Sequence, residues 1–94
     1  MDASAMPKIL YIDDNKSLTK LFFCLGEEYH FQALISNSLT EGLEIAIKEK
    51  PDVILIDIHM CDGTGLQYTA KLKTLKETAH IPVIGCSVTY FEDG

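Results

Sequence analysis

The chain has 94 residues, 47% of them hydrophobic and 23% charged, with a formal net charge of −6. That describes one soluble domain around one core, too long for a fold held by disulfides alone and too short for two cores. All eight basic residues are lysines, so no guanidinium fork exists for bidentate contacts to guanine or phosphate, and nucleic acid is not an expected direct partner. The apolar run Val53 to Ile56 is cut by Asp57, far short of the ~20 residues a bilayer span needs, so no membrane helix is expected. Met1 to Pro7 carries an aspartate and no long apolar region, unlike a secretory signal. The expected compartment is the cytoplasm, and residues 1–6 are expected to be disordered. Cys24, Cys61 and Cys86 are odd in number and lack a C-x-x-C spacing, which argues against a disulfide framework and a zinc site. Reduced, mostly buried thiols are the expectation.

Lys8-Ile-Leu-Tyr-Ile-Asp13 is a short aliphatic and β-branched run that stops at an acidic pair, as a buried strand stops at its loop. Leu18, Leu21, Phe22 and Leu25 then recur at helical spacing behind Asp14 and Asn15, both good N-cap residues, predicting a first helix to about Glu28. Phe31 to Ile35 predicts a weaker strand. Ser38-Leu-Thr-Glu41 fits a capping box, and Leu39, Leu43, Ala46 and Ile47 share a helical face until Pro51 forbids continuation. Asp52 to Asp57 has consecutive apolar residues instead of alternation, predicting a central strand covered on both faces. After a Gly63-Thr64-Gly65 loop, Leu66, Leu72 and Leu75 with Thr69 and Ala70 predict a third helix, and Ile81 to Cys86 a fourth strand ending at Ser87. The order βαβαβαβ implies a parallel sheet with helices on both faces, because each parallel connection crosses over outside the sheet.

In such a sheet the ligand site lies beyond the carboxyl ends of the strands. Strand one delivers Asp13 and Asp14 there, strand three Asp57, and strand four Ser87. Carboxylates brought together would repel one another, so their coexistence calls for a cation. An all-oxygen set that leaves room for waters and phosphate suits Mg²⁺ better than zinc.

These residues resemble the receiver domain of two-component response regulators, and the resemblance runs from Lys8 to about Gly94. It rests on Ile12-Asp-Asp-Asn15, on Pro51-Asp-Val-Ile-Leu-Ile-Asp-Ile-His-Met60, on Asp62-Gly-Thr-Gly65 and on Ile81-Pro-Val-Ile-Gly-Cys-Ser87. It implies a flavodoxin-like, doubly wound α/β fold whose strands 2-1-3-4 are present while the fifth βα unit is missing, with residues 1–94 forming a single, C-terminally incomplete receiver domain. It further implies that Asp57 is the phosphoacceptor, attacking a phosphohistidine of a sensor histidine kinase or phosphotransfer protein. Asp13, Asp14, Asp57 and the backbone carbonyl of His59 would hold Mg²⁺, and Ser87 would bind a phosphoryl oxygen and act as the switch. Such a domain assists its own phosphorylation and dephosphorylation and is not expected to be a turnover enzyme.

Two departures stand out. Cys61 occupies a position where the family commonly has proline. The family also places a lysine at the end of a fifth strand, with an aromatic switch residue and a fifth helix, whereas no lysine follows Lys76 here. An unpaired fourth strand predicts self-association through its edge.

Other readings compete. Asp14, Asn15 and Asp57 could be cap or turn residues, and Ser87 a turn residue. The histidines His30, His59 and His80 share no metal-ligand spacing and are expected at the surface or in loops. Gly63-Thr-Gly65 is a poor dinucleotide loop, since Tyr68 replaces the third glycine and the loop follows strand three. A pseudo-receiver that binds partners without phosphotransfer is one alternative function. A Mg²⁺-dependent phosphohydrolase is another, weakened because His59 stands where a D-x-D motif needs its second aspartate.

Overall fold

The computed structural model describes residues 6–60 and 63–86. The elements run in the order β1 (Lys8–Ile12), α1 (Lys16–Tyr29), β2 (Gln32–Ser36), α2 (Leu39–Glu49), β3 (Val53–Asp57), β4 (His59–Met60), β5 (Gly63–Thr64), α3 (Gly65–Thr74) and β6 (Val83–Cys86). The main sheet has the order β2-β1-β3-β6, and each neighbouring pair in it is parallel. This is the 2-1-3-4 arrangement expected from the sequence. After β2 the chain returns past β1 to place β3 on its other side. The order therefore reverses between β1 and β3, whose registers pair Ile12 with Ile56.

Strand alternation divides the packing between two faces. Leu10, Ile12, Ile54 and Ile56 point into the main core with Leu39, Ala46, Met60, Tyr68, Leu72 and Ile81, so α2 and α3 cover that face. Tyr11 points the other way, where its ring meets Phe22 of α1 at a centroid distance of 5.1 Å. The second face is more thinly covered than a strand buried on both sides requires, for Val53 and Leu55 are only half-buried.

Local chemistry explains the helix ends. Asn15 caps α1 by accepting from the backbone N–H groups of Ser17 and Leu18, Ser38 caps α2 by accepting from Glu41, and Thr64 with Gln67 forms a reciprocal capping box on α3. Helices α1 and α2 both end on a left-handed residue, His30 and Lys50, whose N–H returns to the carbonyl four residues back.

Several expected packing faces shift. In α1 the buried residues are Thr19 and Gly26, with Phe22 half-buried, while Leu21 and Leu25 are exposed. Small side chains along this seam let the helix approach β2, where Gly26 sits against Phe31 and Ala33. The same rotation puts Cys24 on the exposed side, contrary to the expectation of a buried thiol. Cys86 is half-buried, and Cys61 lies outside the described residues. In α3, Leu66 is 76% exposed and Tyr68 and Leu72 face the core. On α2, Leu39 and Ala46 are buried as expected, Leu43 packs against the core, and Ile47 is exposed. The Gly63 segment is a short antiparallel ribbon instead of a plain loop, pairing His59 with Thr64 and Met60 with Gly63. Beta-ribbon pairing buries Met60 in the core, which the sequence pattern did not reveal.

Candidate functional site

Asp13 follows the last residue of β1 and Asp57 is the last residue of β3, so both stand at the carboxyl edge where strand order reverses. Asp14 is the next residue along. One carboxylate oxygen each from Asp13, Asp14 and Asp57 lies within 4.8 Å of the others. Asp14 is not spent as a helix cap, because Asn15 performs that role.

Asp13 is held on every side and is 1% exposed. Its backbone N–H donates to the Ser36 carbonyl at 3.0 Å. Its Oδ1 accepts from the Asn15 backbone N–H at 2.9 Å, and its Oδ2 accepts from the Tyr11 hydroxyl at 2.5 Å. The Asn37 side-chain amide donates to the Asp13 carbonyl at 2.9 Å and to the Thr19 hydroxyl at 3.2 Å, which ties the end of β1 to the β2 exit and to α1. Asp14 and Asp57 are half-buried, leaving the cluster approachable from solvent.

The cluster's field reaches its neighbours. Burial pushes the Tyr11 phenol well above its usual range, and its hydrogen bond to Asp13 and the Asp13 charge push it further. The Tyr11 hydroxyl is thus a donor at neutral pH. Cys86 lies in register with Asp57 across the β3–β6 pair. Burial raises its thiol pKa, the charge of Asp57 adds to this, and a backbone hydrogen bond at Ile56 partly opposes it.

The donor set consists of carboxylate oxygens on a partly open surface, which fits a hard divalent cation that keeps several waters, such as Mg²⁺. Among the described residues the clustered ligand atoms are all carboxylate oxygens, a set that suits a hard cation better than a structural zinc. His30 and His80 are exposed and away from it, as expected. The backbone of His59 opens β4, two residues beyond Asp57. Ser87, Asp62, Tyr90 and Phe91 lie outside the described residues. Tyr11 and Asn37 are not among the site residues that the sequence pattern marks. A strand period of two would have found Tyr11, since it shares a face with Asp13; Asn37 gives no such signal, because its contact spans 24 positions.

The polar-differentiation response regulator DivK of Brucella anthropi is 38% identical over 87 residues, covering 92% of this chain and 69% of that protein. The N-terminal domain of a response regulator receiver protein from Methanoculleus marisnigri superposes with a TM-score of 0.84 at 26% identity, over 94% of this chain and 72% of that one. The receiver domain of a sensor histidine kinase from Pseudomonas aeruginosa shares the fold, with a TM-score of 0.78 at 17% identity over 86% of this chain and 66% of that one, and its structure has a magnesium ion coordinated in the active-site cleft. The chain thus spans about two thirds of the length of these proteins. The family model for the response regulator receiver domain matches residues 9–93, a span that takes in all three clustered acids, and the chain belongs to that family.

Proposed function

We propose that this domain accepts a phosphoryl group on Asp57 from the phosphohistidine of a sensor histidine kinase or phosphotransfer protein. The observation that supports this most is the meeting of Asp13, Asp14 and Asp57 within 4.8 Å at the strand-order reversal of a receiver fold. A carboxylate oxygen of Asp57 attacks phosphorus, the P–N bond to the donor imidazole breaks, and the freed histidine keeps the bonding pair and takes a proton. Asp57 is the acceptor because it ends the central strand β3 and is partly open to solvent, whereas Asp13 is buried.

Asp13, Asp14 and Asp57, with the backbone carbonyl of His59, would hold Mg²⁺. Bound there, the ion would neutralise charge on the transferring phosphoryl group, where positioning and electrostatics supply most of the catalysis. The protein's own contribution is a fixed set of carboxylates and an acceptor that needs no separate base. Ser87 would accept the role of hydrogen-bond donor to a phosphoryl oxygen and so report the modification.

The test is incubation with a small acyl-phosphate donor and Mg²⁺, followed by peptide mapping. One equivalent of phosphoryl group on Asp57, lost in Asp57→Asn, is the expected result. Continuous turnover of a simple phosphate ester would instead favour the phosphohydrolase reading, and binding of a kinase without any label would favour a pseudo-receiver.

A second copy of the chain is a further proposed partner. β6 pairs with β3 on one side; among the described residues no strand pairs with its other edge, and Ile84 there is 52% exposed. An apolar parallel edge of this kind supports intermolecular strand pairing.

A further inference from the structure

Tyr11 lies two residues before Asp13 on the same face of the chain leaving β1, and its hydroxyl donates to Asp13 Oδ2 in a buried bond of 2.5 Å. That length is in the range of an O–H donor on an ionised carboxylate. The ring has little freedom to move. Phe22 of α1 lies against it at 5.1 Å with a 49° tilt, Phe22 in turn meets Phe31 at 5.2 Å, and Leu18 and Leu55 line the same recess. The position of the hydroxyl is therefore set by how α1 packs on the sheet. Asp13 Oδ1 is fixed from a second direction by the Asn15 N–H, in the cap of the same helix.

Among the described residues, each oxygen of Asp13 thus receives one donor. A carboxylate oxygen has two acceptor sites, so one site on each remains for a cation or its water. With both oxygens engaged, the carboxylate keeps one orientation although Asp14 and Asp57 stand close by. Without that anchor, repulsion would turn the Asp13 carboxylate away from its neighbours, and a cation would have to draw it back.

We propose that Tyr11 is a positioning residue for cation uptake: resting on the proposed Mg²⁺ site, it acts through Asp13 and presets the carboxylate that the ion meets. It touches neither the ion nor the phosphoryl donor. Outer partners of metal-binding carboxylates commonly set affinity in this way, and their loss weakens binding by about tenfold or more.

Isothermal titration of the full 94-residue chain with Mg²⁺ tests the proposal, using the parent, Tyr11→Phe, Asp13→Ala and the double variant. Tyr11→Phe keeps the ring and removes only the hydroxyl, and it should raise the Kd for Mg²⁺ about tenfold. In the Asp13→Ala background the same change should have no further effect, because the group it positions is gone. An unchanged Kd in Tyr11→Phe, or an equal loss in both backgrounds, would overturn the proposal. Phe22→Leu gives a second route that leaves the hydroxyl in place: loosening the ring should also weaken Mg²⁺ binding, by less, and parent-like affinity would count against the ring's part in the arrangement. A parent that binds no Mg²⁺ would overturn the underlying site itself, an outcome distinct from a parent that binds and a Tyr11→Phe variant that binds equally well.

Discussion

The Tyr68 hydroxyl of α3 donates to the Gly42 carbonyl of α2 at 3.0 Å, directly above Ile12, whose Cδ1 lies 2.6 Å from where a Cβ on Gly42 would stand. This one junction joins both helices of the main core to the residue that precedes Asp13. Close approach of α2 to β1 requires the missing side chain, and the approach brings the phenol within reach of the carbonyl. Gly42→Ala should gain about 1 kcal/mol of helix propensity but lose about 1–3 kcal/mol to overpacking against the fully buried Ile12. Net destabilisation in urea melts is expected, relieved by Ile12→Val in the same chain. Tyr68→Phe should cost about 1 kcal/mol through the lost hydrogen bond.

Mg²⁺ should raise the melting temperature. A ligand that binds only the folded state at ten times its Kd adds about 1.4 kcal/mol, which for a domain of this size is a shift of roughly 5–10 °C. Asp14→Asn and Asp57→Asn should blunt this rise. Variants that respond to Mg²⁺ as the parent does would place the ion elsewhere.

Alkaline pH should unfold the protein in step with two tyrosines. Burial raises the pKa of both Tyr68 and Tyr11, with the bond and charge of Asp13 adding to the effect at Tyr11. A native pKa above the unfolded value means that this stabilisation is complete below the usual phenol range near pH ~10 and fades as pH rises toward the native values, since there the unfolded state binds fewer protons. Phenolate absorbance from these two side chains should therefore appear together with loss of circular dichroism. Tyr68→Phe should make the pH dependence of stability shallower. Phenolate that forms fully while the dichroism stays native would contradict the burial of these groups.

The left-handed caps offer a gain in stability. His30 has φ 63° and Lys50 φ 49°, a conformation that costs a side-chain-bearing residue about 1–2 kcal/mol and glycine little. His30→Gly should stabilise by up to about 1 kcal/mol once the extra freedom of the unfolded chain is subtracted, visible as a later thermal midpoint.

Self-association through β6 should be visible by size-exclusion with light scattering at high micromolar concentration. Ile84→Lys, which adds charge at the exposed edge residue, should shift the population toward monomer. A parent that stays monomeric throughout that range would remove the second copy from the partner set.

The sequence alone determined the succession of strands and helices and the acidic residues that end β1 and β3. Those signals are local: apolar runs that stop at aspartates, caps such as Asn15 and Ser38, and Pro51 closing α2. They also sufficed for the resemblance to the receiver family. Tertiary structure decided which helical faces are buried. Periodicity offered Leu21, Leu25 and Leu66, but the helices settle where small residues permit close approach, at Gly26 and Gly42, and that choice turned Tyr68 inward and Leu66 out. It also decided the β4–β5 ribbon and the lock on Asp13, because the Asn37 and Ser36 contacts join segments far apart in the chain. Only the packed sheet brings those donors to one carboxylate, since a contact of long sequence separation leaves no periodic trace in the chain that makes it.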